Sequence, residues 1–262
     1  MEKKVAVIQM VSSADVEENI DKALKLIGQA SSKGADWVVL PEYWSLLSTE
    51  EKEKLAIREA YGKGRLQEIL SKAASRLKLV IFGGSLSLSS PEKDKVFNSM
   101  LVFDRQGKII SRYDKQHLFL YEGENENYQE TNTIKPGSGI VQSLEIDSFR
   151  IAQGICFDIR FPEFFRQQLP FEILVLPAAF TYATGEAHWE VLLRARAIEN
   201  QCYVLASAQG GIHAGGRRTF GHSMIISPWG TVLNELEAGE GVITARVRQS
   251  EIQRIRKQLP IF

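Results

Sequence analysis

The sequence is poor in the features that mark several protein classes. Two cysteines in 262 residues are too few for a disulfide framework or a four-thiolate zinc site. The four histidines, His117, His188, His213 and His222, show no H-x-x-x-H or C-x-x-C spacing, so no metal site is expected. No apolar run approaches the roughly 20 residues of a membrane span. Neither sign of charge is in excess, with 32 Lys plus Arg against 32 Asp plus Glu. That argues against a nucleic-acid partner, because phosphate binding by counterion release draws on a basic surplus. Gly83-Gly84 and Gly210-Gly211 make neither G-x-G-x-x-G nor a P-loop. Gly221-His222-Ser223-Met224-Ile225 lacks the last glycine of G-x-S-x-G and the helix that should follow it. The opening Met1-Glu2-Lys3-Lys4 and apolar 5–11 mimic a signal peptide. Gln9 interrupts that run, and Asp15, Glu17 and Glu18 occupy the cleavage region. A buried strand in a cytoplasmic protein is the expectation.

What is present is the balance of a globular chain, 44% apolar and 24% charged. A chain this long buries about three quarters of its unfolded surface and needs no staples. Residues 5–10 read as a strand, Asp15 opens a helix with Glu18 placed for a capping box, and 37–40 read as a second strand. The strands are apolar throughout, as in a sheet covered by helices. A helix over 65–77, strands over 79–85 and 98–103, and a hairpin partner over 108–112 follow. Residues 114–139 are aperiodic, polar and aromatic, a loop long enough to suggest function. The second half echoes the first: strand 150–156, helix 161–169, strand 173–176, helix 186–200, then strands and a short helix over 250–257. The two strand ends rhyme, Val38-Val39-Leu40-Pro41 against Leu174-Val175-Leu176-Pro177. No linker divides them, so one α/β domain over 1–262 is expected.

Three residues could carry chemistry. Cys156 ends a strand and precedes a helix start, where N–H groups and a helix dipole can stabilise a thiolate and an oxyanion. As a free cysteine it could equally be a small buried hydrophobe. Glu42 follows Leu40-Pro41 at a strand end, where ligands gather in α/β sheets, and could serve a thiol as base or be a plain loop acid. Lys115 opens the long loop and is either a charge stabiliser or a solvated lysine. Cys202, inside an apolar run, reads as core.

Several blocks then line up. They are Leu40-Pro41-Glu42, Tyr113-Asp114-Lys115-Gln116-His117-Leu118-Phe119, Gly154-Ile155-Cys156-Phe157-Asp158-Ile159-Arg160-Phe161-Pro162-Glu163, His188-Trp189-Glu190 and Phe220-Gly221-His222-Ser223. In that order, and almost end to end, the chain resembles the nitrilase, or carbon–nitrogen hydrolase, superfamily, and most closely its ω-amidase-like branch. The resemblance implies a four-layer α-β-β-α sandwich built from two similar β-α-β halves, and a Glu–Lys–Cys triad. Glu42 would be the base, Lys115 the oxyanion cation and Cys156 the nucleophile, with the N–H of Phe157 in the oxyanion hole and a thioester intermediate. A second family glutamate falls on Glu130, ahead of Pro136-Gly137, in preference to Glu122, Glu124 and Glu126. No metal or organic cofactor is implied, and a homodimer or higher homo-oligomer is.

The block reads His117-Leu118-Phe119-Leu120 where the family commonly has aspartate after the phenylalanine, and the stretch after Glu42 departs from a close ω-amidase. Both shape the pocket, so the chemistry transfers further than the substrate does. Tyr43, Trp44, Phe119 and Tyr121 suggest a narrow, partly apolar pocket, with His188 as a further substrate contact. Arg160 and Arg194 are candidates for a substrate carboxylate, or could pair with Asp158 or Glu199. Arg217 and Arg218 read as exposed and mobile. The expected activity is hydrolysis of a small carboxamide to acid and ammonia. The alternatives are a nitrilase, an N-carbamoyl hydrolase or a catalytically silent scaffold.

Overall fold

The structure is a computed structural model that describes residues 1–50, 52–123 and 127–261. The loop acids Glu124 and Glu126 and the C-terminal Phe262 lie outside the described residues. The first half runs β1 (Glu2–Gln9), α1 (Val16–Ser32), β2 (Trp37–Val39), α2 (Glu53–Ala56), α3 (Arg65–Leu77), β3 (Val80–Phe82), β4 (Leu86–Ser89), β5 (Val96–Phe103) and β6 (Ile109–Asp114). A small hairpin, β7 (Leu120–Glu122) and β8 (Asn127–Gln129), occupies part of the long loop. The second half runs β9 (Leu144–Ile146), β10 (Phe149–Gln153), α4 (Pro162–Arg166), β11 (Ile173–Ala178), α5 (Tyr182–Asn200), β12 (Tyr203–Ala208), β13 (Ser223–Ile226), β14 (Val232–Leu236), β15 (Gly241–Arg248) and α6 (Gln249–Gln258).

The strands form two large sheets. One has the order β15-β1-β2-β3-β5-β4, with β6 also on β5, and the other β14-β13-β12-β11-β10-β9. β1, β2 and β3 are mutually parallel, as are β10, β11 and β12. The C-terminal strand β15 returns to pair with β1 along its whole length.

Alternation along the strands makes the layers. Val5 and Val7 of β1 face the core shared with the second sheet, whereas Ala6 and Ile8 face α1 and α3. On α1, Ile20, Ala23, Ile27 and Ala30 repeat at helical spacing and meet that outer face. Trp189, Leu193 and Ala197 of α5 cover the outside of the second sheet. The result is helix, sheet, sheet, helix. A fully buried Ile27 or Leu193 contributes about 1.5–3 kcal/mol each, which is why both helices lie flat on their sheets. Asp15 caps α1 by accepting the N–H groups of Glu17 and Glu18. Glu18 does not close the expected box, because its carboxylate accepts the Ser13 hydroxyl and pairs with Lys22.

The expected strand over 79–85 is shortened to β3, because the chain turns at Gly83-Gly84, and β4 begins beyond it at Leu86. Among the described residues, no helix is long and apolar enough to cross a membrane. Both sheets present the carboxyl ends of their parallel strands to one region. There Gln209, just past β12, donates to the Glu42 carbonyl (3.0 Å) and the Ser12 hydroxyl (2.8 Å).

Candidate active site

Glu42 is placed by a tight crossing of backbones. Gly84 has φ of 59° and passes so close to Pro41 that a Cβ there would lie 2.1 Å from the Pro41 carbonyl oxygen. A side chain at 84 would push the end of β2 away. The chain then turns at Tyr43, itself at φ 54°, whose N–H donates to Ser85 Oγ (2.9 Å). The Glu42 side chain is buried, and its Oε1 accepts from Asn98 Nδ2 and from Lys115 Nζ, both at 2.9 Å.

Lys115 leaves the end of β6 and is 1% exposed, unusual for a residue normally kept in water. Its N–H donates to the Asn98 carbonyl, and its own carbonyl accepts from Gly137 N–H (2.8 Å). Gly137 touches Asp114 so closely that a Cβ would sit 2.2 Å from its carbonyl oxygen. The ammonium therefore has a fixed route into the interior. There it also donates to both oxygens of Glu130, at 3.0 and 2.9 Å. Glu130 opens a 3-10 turn (Glu130–Asn132) beyond β8 and accepts two further bonds, from Tyr43 Oη (2.7 Å) and the Phe119 N–H (2.7 Å).

Cys156 begins a 3-10 turn (Cys156–Arg160) after β10, with φ of 50° in the left-handed region that non-glycine residues avoid. Asp158 holds this elbow. It is fully buried and accepts Ile155 N–H (2.8 Å), Tyr113 Oη (2.5 Å) and His117 N–H (3.0 Å), with His117 Nδ1 at 2.7 Å. One carboxylate thus ties the segment that carries Lys115 to the turn that carries Cys156.

The charges are interdependent. Burial pulls the Lys115 ammonium down, but Glu130, Glu42 and Cys156 more than offset it and hold its pKa well above the usual lysine value. Burial raises Glu130, yet Lys115 first, then Lys54 and the Phe119 N–H, bring it below the ordinary carboxylate value. Burial, reinforced by Glu42, pushes the Cys156 thiol well up; Lys115 opposes this without cancelling it. The resting thiol is therefore protonated.

A narrow cavity opens at Cys156, walled by Phe119, Phe157, Arg160, Phe180, Thr181 and Thr184. The Arg160 guanidinium is half-buried, 5.6 Å from the Phe157 ring centre and 5.3 Å from that of Phe180. Both its terminal nitrogens lie 3.3 Å from His188 Nδ1, and among the described residues it has no carboxylate partner. The expected pairing with Asp158 does not occur, since Asp158 is filled by other donors. Arg194 pairs with Glu190 on the outside of α5, and Glu199 is taken by Arg196.

The structure thus brings Glu42, Lys115, Glu130, Cys156 and Phe157 to one place and divides the remaining candidates. Trp44 is a correction: it is fully buried on the helix side of the first sheet, with Nε1 donating to the Gly83 carbonyl (3.0 Å), and it cannot line the cavity. The same turn that aims Glu42 inward sends Trp44 into the core. Tyr43 is buried and commits its hydroxyl to Glu130. Tyr121 stacks on Phe119 (centroids 6.1 Å apart) and lines a separate cleft of about 780 Å³ together with Leu120 and Tyr128. His188 is exposed and reaches the cavity only through Arg160. Arg217, expected to be free, is half-buried, 4.9 Å from the Tyr128 ring centre. Asn98 was not singled out from the sequence, and Asp158 was named there only as a partner for an arginine.

Comparison with known proteins shows the family and the fold. The family model described as carbon-nitrogen hydrolase matches residues 4–257. The deaminated glutathione amidase of Bos taurus is 36% identical, over 98% of this chain and 80% of its own length. The C. elegans NitFhit protein superimposes with a TM-score of 0.90 at 32% identity, over all of this chain but 64% of its own, so this chain spans just under two thirds of it. Saccharomyces cerevisiae Nit3, a member of branch 10 of the nitrilase superfamily, gives a TM-score of 0.87 at 26% identity, over 99% of this chain and 95% of its own.

Proposed function

The chain belongs to the carbon–nitrogen hydrolase family, and on that premise we propose that it is a cysteine-dependent amidase. Cys156 is the nucleophile, Glu42 the base and Lys115 the oxyanion cation. One observation carries the reading: a buried thiol on a left-handed turn shares one charge cluster with a buried ammonium held between two carboxylates. Because the resting thiol is protonated, Glu42 takes the Sγ proton as Sγ bonds to the amide carbon. Charge on the carbonyl oxygen falls to Lys115 and to the N–H of Phe157, which precedes the first closed hydrogen bond of its turn, Asp158 N–H to the Ile155 carbonyl. The C–N bond breaks, and Glu42 returns the proton to the departing nitrogen. Water, deprotonated by Glu42, then cleaves the thioester and frees the acid. Glu130 positions Lys115 by occupying two of its hydrogen-bond directions.

The cavity suits a short aliphatic acyl group, and Arg160, without a carboxylate partner among the described residues, suits an acid at its far end. A dicarboxylic monoamide is therefore the favoured substrate. Ammonia release from succinamate should exceed that from butyramide. A tenfold preference for butyramide, about 1.4 kcal/mol in transition-state binding, would replace the reading with a neutral aliphatic amidase. Nitriles and N-carbamoyl compounds should be slower than either; a faster one would change the reaction class. Deaminated glutathione, in the name of the bovine relative, is the second candidate, favoured by the 780 Å³ cleft next to the cavity.

The active form is a homodimer or larger. Val191 and Ile198 on the outer face of α5 and the neighbouring Trp229 are exposed large apolar residues, 69%, 49% and 60% accessible. Light scattering at micromolar protein should give more than the 29.5 kDa monomer mass.

A further inference from the structure

The mechanism leaves one neighbour of Glu42 unused, Asn98. It lies in β5, where side chains alternate between the two faces of the first sheet. Met100 and Val102, two and four residues on, face the core shared with the second sheet, whereas Leu101 and Phe103 face the helices. Asn98 therefore puts an amide into an apolar stripe on the inner face. It is buried, Ser87 of β4 lies opposite it, and its carbonyl accepts the Lys115 N–H (2.9 Å). Folding alone gives no reason for an amide here, because a buried polar group costs stability unless it is fully paired.

This one is half paired. Nδ2 donates to Glu42 Oε1 (2.9 Å), while Oδ1 is shut away from water with no hydrogen-bond partner. Turning the amide over would set Oδ1 against a carboxylate oxygen, acceptor against acceptor. Glu42 thus dictates how the amide sits, and the orphaned Oδ1 is the consequence.

Oε1 of Glu42 receives two donors, Asn98 Nδ2 and Lys115 Nζ, each at 2.9 Å. Among the described residues no donor reaches Oε2 of the same carboxylate. The two oxygens are therefore unequal. One donor alone would leave the carboxylate free to swing about its last torsion, which has only a broad preference of its own. A second donor, from β5 rather than from the end of β6, removes that freedom.

We propose that Asn98 is a positioning residue for the base: with Lys115 it clamps Oε1, fixes the plane of the Glu42 carboxylate and leaves Oε2 to carry the proton. The inference rests on the amidase reading. The S–H bond breaks as Sγ bonds to the amide carbon, and the proton forms an O–H on Oε2. That O–H breaks in turn as the C–N bond opens, and the proton leaves on the departing nitrogen.

The test reads thiol activation separately from turnover. Asn98→Leu removes the donor at nearly constant size and suits the apolar stripe. Asn98→Ala is made beside it, so that one misfolded variant leaves the other. Iodoacetamide labelling of Cys156 is measured in wild type, in each Asn98 variant, in Glu42→Gln and in the double variants. Asn98→Leu should slow labelling about tenfold, the worth of one hydrogen bond to a charged group. In a Glu42→Gln background it should change labelling little, because both residues act through one carboxylate. With succinamate, kcat should fall by about the same factor while KM stays within about twofold, since Asn98 is not a wall of the cavity at Cys156. Wild-type labelling in a folded Asn98 variant overturns the clamp and leaves the amidase reading intact. So does equal slowing with and without Glu42, the result of a merely structural Asn98. Labelling as fast in Glu42→Gln as in wild type overturns both, because Glu42 is then no base for the thiol. A wild type that labels as expected but hydrolyses no amide overturns the amidase reading, while the labelling arms still decide the clamp.

Discussion

Cys156 and Cys202 are the same residue in two settings. Both are buried, 7% and 0% exposed, and burial raises both thiols above the ordinary cysteine value. Cys202 follows α5 and its Gln201 cap, and its Sγ points at the Arg196 carbonyl at 3.7 Å, with no side-chain hydrogen-bond partner among the described residues. Cys156 sits on a strained turn at a strand end, inside the field of Lys115, Glu42 and Glu130. Burial and a raised pKa therefore do not mark a nucleophile. On the proposed reading a carboxylate and a cation beside the thiol do, and of the two thiols it is Cys156 that has Glu42 and Lys115 beside it.

The contrast can be broken in order of expected effect. Cys156→Ala or Cys156→Ser should lower turnover by about a thousandfold or more while the fold is retained, as judged by circular dichroism and ammonia release. Wild-type turnover in either variant would remove the distinction between the two thiols. Next, Glu42→Gln should cut turnover and slow iodoacetamide labelling of Cys156 by about a hundredfold, the usual worth of a positioned base. Lys115→Ala should fall in the same range for turnover, because nucleophile, base and cation act as a unit. Equal labelling rates in wild type and Glu42→Gln, read by peptide mass spectrometry, would mean that Glu42 does not activate the thiol. The smallest effect belongs to Cys202→Ala. It should keep full turnover and lose about 1 kcal/mol of stability in a denaturant titration, the cost of a small packing defect.

The layered fold was legible because its signals are local. Apolar strands, helical spacing over 65–77 and the Asp15 cap are each set by residues a few positions apart. The short strands β4 and β9 escaped because three or four residues carry too little pattern to separate strand from loop. At the site, the strand ends that hold Glu42 and Cys156 could be read from apolar runs stopping at them. The lock between them could not. Asp158 looks in sequence like a partner for a nearby arginine, yet it meets Tyr113 and His117, more than 40 positions away. Trp44 and Glu42 are two residues apart and face opposite sides of one sheet, a division that depends on the positive φ of Tyr43 between them.

The sequence alone determined which residue types were available, where strands end and helices begin, and the order in which an acid, a lysine and a cysteine follow one another. These follow from steric preference and hydrophobic period, which act over a few residues. Only the tertiary structure decided that Lys115 would be buried between Glu42 and Glu130, that burial would raise the Cys156 thiol, and that Arg194 and Arg196 would find carboxylates while Arg160 and Arg217 meet none among the described residues. The reason is physical. A pKa and an unpaired charge depend on how much water is excluded and on which charges stand within a few ångströms, and both are set by segments brought together from across the whole chain.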